Sequence, residues 1–111
     1  MKKLFKCSVC GFMHEGEAAY DKCPKCGMGA EKFAELSAEA AAKVYQSERT
    51  NDIHMEIISL TDKIIKLSLE GIELKLDPNC VSILQQAVAE SYVIKQRLKA
   101  EIEGHIGKGK W

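Results

Sequence analysis

The chain has 111 residues, of which 46% are hydrophobic, and its 16 basic residues balance 16 acidic ones. This length allows one ordinary domain or two small ones, and the zero net charge gives no indication of a nucleic-acid or membrane-surface partner. No segment has the apolar length of a signal-peptide core or a transmembrane helix. Four cysteines in two pairs and a fifth one alone are typical of a reducing compartment, so we expect a cytoplasmic protein.

Short strands are predicted on both sides of the first of two cysteine motifs. Residues 3–5 are expected to enter that motif and residues 12–14 to leave it, which gives a small sheet of two or three strands. The first motif reads CSVCG at residues 7–11, and CPKCG follows at residues 23–27. Two residues between cysteines allow both sulfurs to face one ion. The motifs therefore predict one tetrahedral metal site with four thiolate ligands, Cys7, Cys10, Cys23 and Cys26.

A glycine follows the second cysteine of each motif, at Gly11 and at Gly27. The chain must turn sharply at this point, often with a positive φ, and glycine allows such a turn without a Cβ clash. Backbone N–H groups in a turn of this kind point back at sulfur. Two disulfides are the alternative interpretation, and the repeated turn chemistry disfavours it.

Aromatic residues surround the motifs and carry a family resemblance. Phe5 lies two residues before the first cysteine, Phe12 follows the first glycine, and Phe33 lies seven residues after the last cysteine. With the motifs, these residues make positions 1–36 similar to a rubredoxin-type domain in the short form found at the C-terminus of rubrerythrins. The resemblance implies one iron ion that exchanges a single electron, with zinc as the alternative metal. The residues expected around the metal are Phe5, Gly11, Phe12, Gly27 and Phe33.

A helix is predicted over residues 38–48, with Ser37 as its N-cap. Residues 47–51 include weak helix formers, so we expect a kink or a restart there, although one unbroken helix also fits the pattern. The following apolar residues recur at spacings of four and three, which predicts a heptad-like seam. This predicted seam consists of Ile53, Ile57, Leu60, Ile64 and Leu67. Gly71 is expected to end the helix.

A second long helix is predicted after a short extended connector at residues 72–76. Asp77 is a suitable N-cap, and Pro78 fits the first turn, where its missing N–H is no loss. We expect the helix to run to about Glu103, before the first of several glycines. Its predicted stripe consists of Val81, Leu84, Val88, Ser91, Lys95, Leu98 and Ile102.

These elements predict an α+β chain with two domains. Residues 1–36 form the rubredoxin-like metal-binding domain, and residues 37–111 form an antiparallel α-helical hairpin. Two helices alone bury one face each, and their wide apolar stripes need a further partner. We therefore expect homodimerisation through the helices, which would complete a four-helix bundle.

Rubrerythrins also reduce peroxide at a di-iron centre in a ferritin-like bundle, and the sequence can be checked for this centre. Such centres need Glu-x-x-His pairs on their helices. The residues three positions before the three histidines are Gly11, Asn51 and Ile102, so the chain contains no such pair. We therefore do not expect a di-iron peroxidase.

Two functions remain for the chain. The first is a one-electron carrier with a mononuclear Fe(Cys)4 site, docked to an oxidoreductase or oligomerised through its helices. The second is a structural zinc ribbon in an adaptor or regulatory interaction protein. Four thiolates leave no open position for a substrate, so we expect an electron-transfer protein and not a substrate-converting enzyme.

Overall fold

The computed structural model describes residues 2–111, and the chain begins with three short strands. These are β1 (Lys3–Cys7), β2 (Met13–Gly16) and β3 (Phe33–Glu35), with a 3-10 turn at Ala30–Lys32 before β3. They form one antiparallel sheet in the order β2-β1-β3. The predicted strands on both sides of the first cysteine motif are confirmed, and the third strand pairs with β1 after the second motif.

Very few side chains are buried in this small sheet. Leu4 is 5% exposed, Cys7 is 1% exposed and Cys23 is 2% exposed, and no other apolar residue of the described chain is as deeply buried. The strand register places Phe5 opposite His14 and Cys7 opposite Phe33. Since two of the three best-buried residues are cysteines, the stability of this part depends on the atoms that bind the sulfurs.

The first helix, α1 (Ala38–Glu73), is continuous, so the expected kink or restart at residues 47–51 is wrong and the alternative of one unbroken helix is correct. Its predicted N-cap is confirmed, because Ser37 Oγ accepts from the Ala40 N–H at 3.1 Å. Ser47 and Asn51 are both buried, and the Asn51 amide donates to the Lys110 carbonyl at 2.7 Å. These tertiary contacts outweigh the weak helix propensity of the segment.

The end of α1 differs from the prediction at Gly71. The helix continues to Glu73, and Lys75 adopts the left-handed conformation with φ of 49°. A Cβ added at Gly71 would lie 2.6 Å from Cδ1 of Leu84. Glycine at this position therefore allows the close approach of the second helix and does not terminate the first.

The second helix, α2 (Pro78–Gly107), begins as predicted. The Asp77 carboxylate accepts from the Cys80 N–H at 2.7 Å, which confirms the N-cap. The helix passes the expected end near Glu103 by one turn. The buried His105 holds this last turn, because its Nδ1 lies 2.5 Å from the Asn51 side-chain oxygen on α1.

The two helices form the predicted antiparallel hairpin, and the stripe predicted for α2 lies on its inner side. On α1 the inner seam is shifted by one residue from the prediction, since the best-buried residues of α1 are Ser47, Asn51, Thr61 and Ser68. The residues of the inner seam on α1 are Ser47, Asn51, His54, Ile58, Thr61, Ile65, Ser68 and Ile72. A single partner helix can cover only one stripe of α1. The stripe with small or polar side chains allows α2 to approach more closely than the stripe of large apolar side chains would. The seam predicted on α1, from Ile53 to Leu67, stays exposed.

The chain divides into two compact units, one reaching to Tyr45 and the other comprising Gln46–Trp111. The division falls inside α1, and the predicted domain boundary after residue 36 stays a prediction. Neither α1 nor α2 has a stretch apolar enough to cross a membrane.

Replacing Asp77 by alanine removes the acceptor for the Cys80 N–H at the start of α2. We expect the D77A variant to lose about 1 kcal/mol of unfolding free energy, because that N–H has no partner within the helix. Urea denaturation followed by circular dichroism measures the loss. The D77N variant keeps an N-cap acceptor, and a loss as large as that of D77A would contradict the capping role.

Candidate metal centre

The two cysteine motifs fold into the same turn. The Gly11 N–H donates to the Cys7 carbonyl at 2.9 Å, and the Gly27 N–H donates to the Cys23 carbonyl at 2.8 Å. Both glycines have a positive φ, +80° for Gly11 and +75° for Gly27. An L side chain is strained in this conformation, which explains the glycine after each cysteine pair.

The hydrogen bonds around each turn match as well. The Cys7 N–H donates to the Phe12 carbonyl and the Cys23 N–H donates to the Met28 carbonyl, both at 2.8 Å. The first cysteine of each motif is buried and the second, Cys10 or Cys26, is partly exposed. The two cysteine turns therefore share the same hydrogen-bond pattern and the same order of burial.

The four sulfurs converge on one point. Sγ of Cys7 lies 3.7 Å from Sγ of Cys26, and Sγ of Cys10 lies 3.5 Å from Sγ of Cys23. All four ligand atoms lie within 4.8 Å of one another. Four sulfurs at about 2.3 Å from a tetrahedral ion would be about 3.8 Å apart, so the arrangement fits a metal.

The alternative interpretation of the motifs as disulfides is wrong. A disulfide needs a sulfur–sulfur distance of about 2.05 Å, and all five cysteines of the chain are free. The described residues contain no second group of three or more potential ligands with such spacing. This is a four-cysteine metal site, and the sequence spacing predicted which side chains meet there.

Backbone N–H groups favour the thiolate form of the first cysteine in each motif. The Cys10 N–H is the largest influence on Cys7 and lowers the pKa of its thiol below the usual value, with help from the Val9 N–H. At Cys23 burial alone would raise the pKa. The N–H groups of Cys26 and Lys25 and the neighbouring thiols outweigh that effect, and the pKa falls to about 6.

Cys26 shows the opposite behaviour. The Met28 N–H favours its thiolate, but burial and the sulfurs of Cys10, Cys23 and Cys7 outweigh this donor and raise the pKa to about 12. Four negative sulfurs this close repel one another unless a cation lies between them. The site therefore holds at least one proton at neutral pH until a metal replaces it.

The aromatic residues predicted around the metal, Phe5, Phe12 and Phe33, are all half-buried. The ring of Phe12 lies 6.2 Å from that of Tyr20, and the Phe5 ring stacks on His14 at 6.4 Å. The assignment of these aromatic side chains to the surroundings of the metal stays a prediction.

Other contributors to the site were missed by sequence reasoning. Leu4, the best-buried side chain in the sheet besides the cysteines, lacked a motif to mark it. The N–H donors of Val9, Lys25 and Met28 act through the backbone, so their side chains carry no signal. Their positions, two residues after a cysteine in every case, could have identified them.

One further contact joins the sheet to the first turns of α1. The Tyr45 hydroxyl donates to the Glu15 carboxylate on β2, and Lys2 pairs with the other oxygen of the same carboxylate at 3.7 Å. Since Tyr45 belongs to the compact unit that contains the sheet, the first two turns of α1 are part of that unit.

Residues 5–34 match the family model described as the rubredoxin-like domain of rubrerythrin. This match confirms the resemblance drawn from the motifs and the aromatic residues. The N-terminal part of the chain is therefore a rubredoxin-like domain of the rubrerythrin type that holds a four-cysteine metal site.

Reverse rubrerythrin-1 from Clostridium acetobutylicum is 37% identical to this chain over 81 residues. The match covers 73% of this chain and 40% of the length of that relative. Because it is far longer than residues 1–36, more than half of it lies in the helical part. No solved structure matches the chain.

Removing one metal ligand is expected to unfold the metal site. We expect C23S to bind metal more than about 100-fold more weakly and to lose the strand signal, because metal binding supplies folding energy in so small a unit. Chelator competition with elemental analysis measures the affinity, and circular dichroism measures the folding. The matched control is C80S, which removes the cysteine outside the cluster and should retain one metal per chain.

Metal binding is expected to strengthen as the pH rises, because a bound ion must displace the proton that Cys26 holds below a pKa of about 12. The apparent affinity should rise about tenfold per pH unit for each displaced proton. Below about pH 6 the apparent affinity should decrease more steeply as the pH is lowered, because Cys23 then also binds a proton. Competition with a chelator of known protonation measures this dependence, and an affinity independent of pH would contradict it.

Proposed function

We propose that this protein is a one-electron carrier with a mononuclear Fe(Cys)4 site. The observation that carries the proposal is the convergence of four sulfurs, within 4.8 Å of one another, in a rubredoxin-like domain. Iron bound there would exchange a single electron between its ferrous and ferric states. Four protein ligands leave no open position, so the site fits electron transfer better than the conversion of a substrate.

The protein's own contribution is a ligand cage that changes little when the charge changes. Each motif is closed by its glycine and cysteine backbone hydrogen bonds, and the Ser8 N–H joins the first turn to the Lys32 carbonyl at 2.8 Å. N–H groups directed at the sulfurs of Cys7 and Cys23 stabilise negative charge there. Such donors favour the reduced, more negative form of a thiolate site and so raise its potential.

The partly exposed cysteines give the electron a short path to another protein. Cys10 and Cys26 are the less buried ligands, and Val9, between the cysteines of the first motif, is 54% exposed. Lys6 directly precedes the first motif, Lys25 lies between the cysteines of the second, and both are exposed. An oxidoreductase with an acidic, partly apolar surface is the redox partner that this chemistry fits.

The polar residues of the hairpin support the assignment of function to the cysteine site. Asn51 stands three residues before His54, where a Glu-x-x-His pair would have its glutamate. Its side chain instead bonds His105 and the Lys110 carbonyl. We therefore place the redox chemistry of this chain at the four cysteines.

The proposal is tested by the visible absorption spectrum of protein from iron-supplied cells, before and after dithionite, with elemental analysis of iron and zinc. We expect about one iron per chain and a red colour that bleaches on reduction. The C80S variant should behave in the same way, because Cys80 lies outside the sulfur cluster. Colourless protein with stoichiometric zinc would contradict the electron carrier and would favour a structural zinc site.

A further inference from the structure

The hairpin has an exposed apolar stripe in addition to its inner seam. On α1 the stripe consists of Ile53, Ile57, Leu60, Ile64 and Leu67. Each of these residues precedes a residue of the inner seam by one position, and the spacings of four and three are those of a coiled-coil interface. Leu60 is 49% exposed and Leu67 is 67% exposed. A continuous apolar stripe of this length marks an interaction surface.

The second helix contributes apolar residues to the same side of the hairpin. Ile83 and Ile94 also precede inner-seam residues by one position, and they are 60% and 48% exposed. Because the two helices run antiparallel, residues with the same offset from the seam lie on the same side. We call this side the outer face, and α1 supplies most of its apolar surface.

Charged residues line one flank of the stripe at intervals of seven. Arg49, Glu56, Lys63 and Glu70 alternate in sign. Glu56 and Lys63 each directly precede a residue of the stripe, and Glu70 directly precedes the position where the spacing of the stripe continues. All four are exposed. Within the described residues none of the four forms an intrachain ion pair, whereas Asp62 and Lys95 do. The flank is therefore available to charges on another chain.

The alternation fits a second copy of the same helix running in the opposite direction. When Leu60 of one copy packs beside Ile57 of the other, the same flank of the interface is formed by these four residues from both copies. Glu56 then faces Lys63 of the other copy, and Arg49 faces Glu70. The two-fold symmetry repeats each pair, so every charge on the flank has an opposite neighbour.

Other arrangements of the same two helices lack this complementarity. A shift of seven residues in one direction places Glu56 beside Glu70 and Lys63 beside its own copy. A shift in the other direction places Glu56 beside its own copy. In a parallel pair the flank would face Thr61 and its heptad neighbours, which are uncharged or buried in the hairpin seam.

We propose that the outer face binds a second copy of this chain, with the two α1 helices antiparallel and Leu60 of each beside Ile57 of the other. The resulting two-fold dimer is a four-helix bundle, and Glu56–Lys63 and Arg49–Glu70 pairs fix its register. This interface goes beyond the electron-carrier function and does not depend on the metal in the cysteine site.

Sedimentation equilibrium of the full metal-loaded chain, at about 1 to about 100 µM, tests the assembly. We expect a two-chain mass for the wild type. The L60E variant should weaken the dimer by at least about 100-fold, because a charge would be buried at its centre. A wild-type monomer throughout this range, or a dimer unaffected by L60E, would overturn the proposed face. A stable complex of other composition would assign the face to a different partner and would also overturn it.

Charge exchange tests the register. K63E should weaken the dimer about tenfold, because two attractive pairs become repulsive. The double variant E56K/K63E should restore it, because the pairs are then reversed in sign. The matched control is K66E, which makes the same change on the exposed side of α1 away from the stripe and should leave the mass unchanged. A K63E variant that dimerises as well as the wild type, or a double variant that stays weak, would overturn the antiparallel register.

Discussion

The mutual repulsion of four sulfurs is the constraint on which the N-terminal part of this protein depends. The chain brings Cys7, Cys10, Cys23 and Cys26 within 4.8 Å and provides N–H donors for part of their negative charge. These donors are not sufficient for all four thiolates, which is why the pKa of Cys26 rises to about 12. A cation resolves the conflict, and the sheet around it is too small to be stable through apolar burial alone.

The helical part meets a different constraint, because its inner seam contains polar and small residues. Such a seam allows the close approach seen at Gly71 and Leu84, and its polar atoms must then be satisfied within the hairpin. The Asn51 side chain satisfies two such groups, through its bonds to His105 and to the Lys110 carbonyl. His54 Nδ1 is the one buried side-chain N or O in the described residues that has no hydrogen-bond partner. A second apolar stripe of α1, from Ile53 to Leu67, is left on the outside.

Local chemistry explains what could be predicted from the sequence. The spacing of the cysteines determines that their sulfurs meet, the glycines determine the turns, and Asp77 with Pro78 determines the start of α2. Each of these signals acts within a few residues. The apolar stripe of α2 was also predicted correctly, because that helix has only one strong stripe.

The incorrect predictions concern choices that only tertiary contacts decide. A glycine such as Gly71 is typical of a helix end, but here it leaves space for the side chain of Leu84, which is thirteen residues later in the sequence. The composition of residues 47–51 predicts a break in the helix, but the side chain of Asn51 forms hydrogen bonds with residues more than fifty positions later, and these bonds favour the helix. On α1 two stripes compete for one partner helix, and a rule that weighs apolar residues selects the stripe that stays exposed. The backbone donors to sulfur were missed because any residue with an N–H can supply them.

The contact between Tyr45 and Glu15 has a consequence for how α1 forms. The first hydrogen-bonded turn of a helix is the costly step, since several backbone dihedrals must be fixed for a single bond, whereas each later residue adds its own bond. In this chain the Ser37 cap and the Tyr45 contact hold the first two turns within the unit that contains the metal site. We infer that a folded cysteine site lowers the cost of starting α1, because these contacts hold its first turns in place. Metal capture therefore favours the 36-residue helix without being required for it, because contacts between α1 and the C-terminal part of the chain stabilise it as well.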